Sequence, residues 1–239
     1  MFAKLARRVL FSPHWPAGVF LSMGLAFAAQ AQHHEGEAHS YGEHAVGEDE
    51  HKIYMYQGPT APSGDYKRGE AGYSPPAVTL RNRHGETVRL DRLLAQERPV
   101  VLQFIFTSCA TICPVLSAGM AQAKRQLLET APDTRLVSIS IDPTFDTPAR
   151  LEAYAERFDA GTEWTFLTGR PSDIRKVIVA FDALYEAGNK MYHRPYTYLR
   201  DGGAETWLRL DGLMSASALA KEHAALLRTS AANAAGGDR

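Results

Sequence analysis

The chain has 239 residues, 45% of them hydrophobic, which is enough to bury the core of one folded domain. Its 26 Lys and Arg residues are balanced by 27 Asp and Glu residues, so no excess of positive charge exists to hold a phosphate backbone, and we exclude a nucleic-acid partner. Only two cysteines are present, which excludes a framework of several disulfides as the source of stability.

Residues 1–31 have the features of an export signal. Three basic residues near the start precede an apolar segment at residues 17–29, and small residues up to Ala31 suit cleavage. The apolar segment is shorter than the roughly 20 residues that a membrane-spanning helix needs. We therefore predict a signal peptide cleaved before Gln32 and a periplasmic protein, with an inner-membrane anchor facing the periplasm as the alternative.

Residues 32–51 differ from the rest of the chain because they contain six acidic residues and no Lys or Arg. They also hold five of the nine histidines, which are His33, His34, His39, His44 and His51. These imidazoles either capture divalent metal near the domain or are incidental to a solvated linker. Residues 57–76 contain four prolines and continue as an irregular lead-in. We predict that the whole of residues 32–76 is disordered or irregular.

The folded domain is expected to span residues 77–229, with a disordered tail at residues 230–239. Apolar and alternating patterns predict strands at residues 77–80, 87–90, 100–106, 135–141, 196–199 and 206–210. Helical patterns follow at residues 114–129, 147–158, 171–184 and 215–228. The first two strands predict an N-terminal hairpin, and the alternation of strands and helices indicates a layered α/β fold.

Cys109 and Cys113 lie where the apolar strand at residues 100–106 turns into the helix at residues 114–129. Cysteines four residues apart in a first helical turn point the same way, so their sulfurs can converge on one metal ion or on each other. The start of a helix also lowers the pKa of a thiol and favours the thiolate. The pair therefore predicts binding of a soft metal, redox chemistry, or both.

A third metal ligand must come from elsewhere, and beyond residue 51 the histidines are His84, His193 and His223. We expect His84, in a predicted turn, and His223, on the last helix, to be surface residues. His193 lies in a loop just before the strand at residues 196–199. A loop histidine alone is more often an ordinary residue than a ligand. Two thiolates with one imidazole would suit Cu(I), and imidazole also tolerates Cu(II).

Three ordered motifs resemble those of the Sco (SenC) family. Residues 104–114 resemble its strand followed by Cys-x-x-x-Cys-Pro, and residues 138–148 resemble its strand leading into Asp-Pro and Asp-Thr-Pro. His193 stands five residues before the Tyr198-Leu199 pair, as in the third motif. Order and spacing agree over about residues 77–228, nearly the whole predicted domain.

The resemblance implies a thioredoxin-like fold with a central mixed sheet flanked by helices. It implies that Cys109, Cys113 and His193 are copper ligands in a trigonal Cu(I) site with room for Cu(II). The implied role is that of a copper chaperone rather than an enzyme, with delivery to the binuclear copper centre of cytochrome c oxidase. The implied partners are the copper-bearing subunit of that oxidase, a thiol reductant and another copper carrier. Asp142 matches an acidic family position and either acts near the site or fixes a turn.

Two departures from the family pattern flank the third ligand. Tyr192 and Arg194 stand where the family has an acidic and a small residue, and Arg194 is expected to place a positive charge beside the ligand. Pro195 is also unusual. Thioredoxin-like redox proteins often carry a cis proline facing their cysteines, although most bonds before proline are trans, so Pro195 gives a redox role some support.

Two alternatives to copper delivery stay open. A periplasmic thiol-disulfide oxidoreductase would use Cys109 and Cys113 as its redox-active pair and would not need His193. A structural disulfide in a peroxiredoxin-like relative would bind no metal, and replacing its cysteines would lower stability. In an oxidising compartment the two cysteines tend to form a disulfide, so Cu(I) binding predicts a dedicated reductant.

Overall fold

The computed structural model describes residues 66–185, 188–202 and 204–236. The predicted signal peptide and the His-rich segment lie outside these residues, so the structure does not bear on either prediction. Among the described residues, none of the helices combines the length and the apolar composition that crossing a membrane requires.

Strands of the described chain form one mixed sheet, whose bounds differ a little from the predicted ones. They are β1 Lys67–Ala71, β2 Thr79–Asn82, β3 Thr87–Arg89, β4 Val100–Ile105, β5 Arg135–Ser140, β6 Trp164–Thr168, β7 Tyr196–Arg200 and β8 Trp207–Asp211. Their order across the sheet is β1-β8-β7-β4-β5-β6-β2-β3. β4, β5 and β6 are parallel, whereas the other pairs are antiparallel. The predicted mixed sheet and the N-terminal β2–β3 hairpin are confirmed.

Helices flank this sheet, and a short 3-10 helix precedes β7. They are α1 Leu90–Leu94, α2 Ile112–Thr130, α3 Pro148–Glu156, α4 Pro171–Ala180, α5 Ala216–Gly236 and the 3-10 helix Lys190–Tyr192. α3 begins as its sequence predicts, because the Thr147 side chain accepts a hydrogen bond from the Arg150 amide and a proline follows the cap. α2 and α5 pack against each other.

The pairing of β4 with β7 at the centre of the sheet brings two distant chain segments together. Every residue of β4 and of β7 is buried, which explains why β4 is apolar apart from Gln103. The two strands are antiparallel neighbours, with Gln103 opposite Thr197, and the Gln103 side-chain amide donates to the Thr197 hydroxyl at 3.0 Å. The segment that leaves β4 and the segment that enters β7 therefore lie at the same edge of the sheet.

Several predictions about the ends of the domain are wrong. The lead-in is not irregular throughout, because β1 pairs with β8, with Lys67 opposite Asp211. β1 is an edge strand whose residues are mostly exposed, so it carries no alternating hydrophobic pattern. The predicted C-terminal tail is helical as far as Gly236, where α5 ends.

Candidate metal centre

Cys109 and Cys113 lie on the connection from β4 to α2. α2 begins at Ile112, so Cys113 is in its first turn while Cys109 precedes the helix, which corrects the expectation that both lie in that turn. The Cys109 amide donates to the Phe106 carbonyl at 3.1 Å and closes a turn after β4. The Cys113 amide donates to Cys109 Sγ at 3.4 Å. An N–H group at the start of the helix therefore points at the first sulfur.

The side chains predicted as ligands converge. Cys113 Sγ lies 3.2 Å from Nε2 of His193, and the donor atoms of Cys109, Cys113 and His193 all lie within 4.8 Å of one another. All three residues are buried, with 6%, 0% and 6% of their surface exposed. Within the described residues this is the one group of three or more potential metal ligands that comes this close together.

His193 is held by the 3-10 helix that precedes it. It caps that helix, and its amide donates to the Lys190 carbonyl at 3.2 Å. Asn189 fixes the other end of the helix, because its side chain accepts a hydrogen bond from the Met191 amide at 3.0 Å. The imidazole packs edge-on against the ring of Phe106, with 5.4 Å between the ring centroids. Phe106, which follows β4 and precedes the two cysteines, therefore also helps to position His193.

Asp146 holds the residues that follow β4 in place, a role that the sequence did not reveal. Its carboxylate is fully buried and accepts hydrogen bonds from the Thr107 amide at 3.1 Å and from the Thr107 hydroxyl. It also accepts a hydrogen bond from the Ser140 hydroxyl at 2.6 Å. The signal available in the sequence was the Asp-Thr-Pro motif, but nothing in that motif identifies Thr107 as the partner. Asp146 thus holds the residue two positions before Cys109.

Asp142 is linked to the ligand segment through Lys190. The two side chains form an ion pair, and Lys190 Nζ also lies 5.3 Å from the centroid of the Phe106 ring. The Asp142 carbonyl accepts hydrogen bonds from the Phe145 and Asp146 amides, so this residue also fixes a turn, the second role considered for it. Asp142 is not itself in the group of converging donors.

Hydrogen bonding shifts the pKa values of the two thiols in opposite directions. The hydrogen bond from Cys113 lowers the pKa of Cys109 to about 3, with further help from His193 and from backbone amides, although burial opposes this shift. The same hydrogen bond, together with burial, raises the pKa of Cys113 well above its usual range. Cys109 is therefore the more acidic of the two thiols in the metal-free reduced pair.

The other two histidines past residue 51 have different surroundings. His84 is exposed, as predicted, and its Nδ1 lies 3.4 Å from a carboxylate oxygen of Glu152. His223 was expected at the surface, but it is 1% exposed and its Nε2 lies 3.2 Å from the Thr134 hydroxyl. That expectation is wrong because His223 lies on the inner face of α5.

The residues that depart from the family pattern give no support to the roles considered for them. The Arg194 guanidinium pairs with the Asp211 carboxylate, so its positive charge is matched by an acidic partner rather than left beside the ligand. The described residues contain no cis peptide bond, so Pro195 does not supply the cis proline that would have favoured a redox role. Tyr192 is 62% exposed.

The donor set fits a soft metal ion. Metal bonds to sulfur and imidazole nitrogen are about 2.0–2.3 Å long, so two donors on one ion lie at most about 4.6 Å apart, close to the observed separation. Thiolate donors select Cu(I), Zn and iron-sulfur clusters. Cys109 and Cys113 form no disulfide, and His193 Nδ1 has no hydrogen-bond partner among the described residues.

Comparison with known proteins agrees with this site. The family model described as SCO1/SenC matches residues 73–228. The SCO1 protein homolog of Bacillus subtilis is 30% identical over 142 residues, which cover 57% of this chain and 72% of that protein. In six further curated relatives the match spans 49 to 63% of the relative's length, less than two thirds of each.

Solved structures share the fold. Arabidopsis thaliana ScoI, solved with copper bound, is 25% identical with a TM-score of 0.57, and the match covers 66% of this chain and 99% of that one. BsSco, described as a member of the Sco family of cytochrome c oxidase assembly proteins with a disulfide switch, is 27% identical with a TM-score of 0.52. That match covers 66% of this chain and 95% of BsSco. The fold is therefore thioredoxin-like, and the chain belongs to the SCO1/SenC family.

Proposed function

We propose that the protein binds one copper ion through Cys109, Cys113 and His193 and delivers it to the binuclear copper centre of cytochrome c oxidase. The observation that carries the proposal is the convergence of two sulfurs and one imidazole nitrogen in a buried pocket. The copper bound to Arabidopsis ScoI and the description of BsSco as belonging to a family of oxidase assembly proteins support it.

The thiolate donors suit copper, and their number argues against a structural zinc site. Structural zinc sites are almost always four-coordinate, whereas only three donors converge here among the described residues. Two thiolates suit Cu(I), and the imidazole also allows Cu(II). We propose that both oxidation states are accommodated.

Loading the site requires a change in protonation. Cys109 is already a thiolate, but Cys113 must lose its proton to become a ligand, so copper binding releases a proton. The hydrogen bond between Cys113 and His193 is then replaced by bonds to the ion. Because the three donors are almost completely buried, the recipient must approach the segment that carries His193.

The cellular setting belongs to the same proposal. We propose a periplasmic protein, with an inner-membrane anchor as the alternative. Its partners would be the copper-bearing oxidase subunit, a thiol reductant that keeps Cys109 and Cys113 reduced, and another carrier that supplies copper. The reductant is needed because a disulfide between the two cysteines cannot hold Cu(I).

The low pKa of Cys109 also favours a second candidate, a thiol-disulfide oxidoreductase. In that reaction the Cys109 thiolate attacks a client disulfide, forms a mixed disulfide and releases one client thiolate. Cys113 then gives up its proton and attacks Cys109, which releases the second client thiolate and leaves a Cys109–Cys113 disulfide. Two electrons pass to the client, and His193 is not required.

The test is a Cu(I) titration of the reduced full-length protein against a coloured Cu(I) chelator, which outcompetes weak imidazole sites. We expect one tightly held ion, at least about 10-fold weaker binding in His193→Ala, and wild-type binding in the exposed control His84→Ala. Delivery is tested by mixing the loaded protein with the copper-free soluble domain of the oxidase subunit and recording the spectrum of its copper centre. If His193→Ala binds Cu(I) as tightly as wild type and the protein catalytically reduces a disulfide, the function is instead that of a thiol-disulfide oxidoreductase.

A further inference from the structure

Five large apolar side chains are exposed in the described residues, and each lies on or next to a chain segment that lines one groove. They are Phe145, Val179, Leu184, Met191 and Tyr192, with 40 to 62% of their surface exposed. Scattered exposed apolar residues are normal on a protein surface, whereas a concentration of them marks an interaction site. We call these five residues the exposed apolar set.

That groove has a volume of about 900 Å³ and lies between the end of β5, α4, and residues 184–185 and 188–190. Its apolar lining includes Ile141, Pro143, Ile174 and Ile178. We call it the α4 groove. Leu184 lines it directly, and each other member of the exposed apolar set stands one or two positions from a lining residue in the sequence.

The α4 groove reaches the segment that carries the metal ligand. Lys190 lines the groove and begins the 3-10 helix that ends at His193. Its Nζ lies 5.3 Å from the Phe106 ring, whose centroid is 5.4 Å from that of His193. A partner seated in the groove would therefore contact the element that holds the third donor.

Positive charge borders the groove. Arg175 and Lys190 are in its lining. Asp142, the acidic residue of the described lining, matches the charge of Lys190, so the remaining positive charge of the lining is that of Arg175. The Arg150 guanidinium covers the exposed ring of Phe145 at 3.6 Å from its centroid. An apolar groove with this border complements a surface that carries apolar side chains and carboxylates.

A second copy of this chain fits the groove less well than such a partner. In a twofold dimer the same patch meets itself, so the Arg175 side chains of the two copies would be brought together. Like charges placed together at an interface are unfavourable. The charge of the groove therefore favours a different protein.

We propose that the α4 groove is the docking surface for the protein that receives the copper, and that this partner inserts an apolar segment flanked by carboxylates. The inference rests on the proposed function and adds where the recipient binds and what chemistry it presents. Docking there places the recipient against Lys190 and Tyr192, beside the otherwise buried donors.

The experiment uses the full-length, copper-loaded protein and the purified copper-free soluble domain of the oxidase subunit. We compare wild type with Leu184→Asp, which puts a charge into the groove, and with Arg175→Glu, which reverses its border. The matched control is Arg125→Glu on α2, an exposed arginine that does not line the groove. We expect unchanged Cu(I) affinity in all variants, and at least about 10-fold weaker binding to the domain in the two groove variants alone.

The outcomes separate this inference from the proposed function. If the groove variants bind the domain and transfer copper as well as wild type, the docking surface is wrong while the proposed function stands. If loaded wild type neither binds the domain nor transfers copper, the proposed function fails and the inference fails with it. If Leu184→Asp changes the oligomeric state measured by light scattering and leaves binding to the domain intact, the groove is an interface between copies.

Discussion

Cys113 Sγ and His193 Nε2 lie 3.2 Å apart, although the two residues are separated by 80 positions in the chain. The contact exists because the antiparallel pairing of β4 and β7 brings the exit of one strand beside the entry of the other. The donors are thus assembled before a metal arrives. A preassembled site loses less conformational freedom on binding, which favours tight and selective capture.

Cys109 should remain a thiolate in mildly acidic solution when the protein is reduced and metal-free. At about pH 5, well below the ordinary thiol pKa of about 8.5, we expect the ultraviolet thiolate absorbance of one cysteine to persist. The reason is the hydrogen bond from Cys113, which is the largest cause of the lowered pKa of Cys109. The measurement is a spectroscopic pH titration of wild type and Cys113→Ala.

In Cys113→Ala the pKa of Cys109 should rise towards its ordinary value, because the main hydrogen bond is gone. The protein with both cysteines replaced gives the baseline. A wild-type titration whose single midpoint falls near the ordinary thiol pKa would contradict the prediction.

Asp146→Asn should destabilise the domain and loosen the metal centre. An amide has one acceptor oxygen, so it cannot keep all the hydrogen bonds that the carboxylate accepts from Thr107 and Ser140. We expect the free energy of unfolding in urea to fall by about 2 kcal/mol, because a buried hydroxyl loses a charged partner. Cu(I) affinity should fall several-fold, since Thr107 lies two residues before Cys109.

The control for this prediction is Asp133→Asn, which changes an exposed carboxylate in the turn before β5. It should unfold like wild type. Equal stability of Asp146→Asn and wild type would show that the buried carboxylate does not hold the residues that follow β4 in place.

The ion pair between Asp142 and Lys190 should tune copper affinity by holding the 3-10 helix in place. The two side chains are 12% and 35% exposed, so solvent screens the pair only partly. We expect Asp142→Asn and Lys190→Met each to weaken Cu(I) binding about 2- to 5-fold, as a modest ion pair allows.

A double-mutant cycle tests this coupling. Because the two changes remove the same interaction, the double variant should bind no more weakly than about the weaker single variant. Strictly additive losses would mean that the two residues act on the site independently.

His223 should make the domain less stable as the solution becomes acidic. Burial lowers the pKa of His223, so the folded state resists protonation more than the unfolded chain does. The stability that neutral His223 contributes is complete above the unfolded pKa of about 6.5 and is lost as pH falls below it towards the lower folded pKa. Urea unfolding at about pH 7.5 and about pH 5.5 measures the loss.

His223→Gln removes the titrating group and retains a polar atom to face the Thr134 hydroxyl. We expect it to be less stable than wild type at the higher pH but to lose less stability on acidification. The exposed control, His84→Gln, should keep the wild-type pH dependence. An unchanged dependence in His223→Gln would assign the acid sensitivity to other groups.

The sequence predicted most strands of the sheet but missed β1 and β6. β4 is apolar apart from Gln103 and β5 carries Leu136, Val137 and Ile139, as expected of buried parallel neighbours, so both strands are easily recognised. β1 has no comparable pattern, since it lies at the edge of the sheet and is mostly exposed. β6 was missed although four of its five residues are Trp, Phe or Thr, which are enriched in strands.

For the metal centre, the residue identities were available from the sequence but the contacts were not. The spacing of Cys109 and Cys113 indicates converging sulfurs, whereas His193 was singled out through the resemblance to a family. Its contact with Cys113 depends on strand pairing between distant segments, which no local pattern contains. His223 was misplaced for the same reason, because its burial depends on which face of α5 packs inward.

Copper held at this centre would also cross-link two distant parts of the chain. Its donors stand on either side of a stretch of chain that includes β5, α3, β6 and α4, so the ion closes a loop of about 80 residues. Closing a long loop restricts the unfolded chain far more than the folded one. The copper-loaded protein should therefore unfold at a higher temperature than the copper-free protein. Delivery of the ion would remove this added stability.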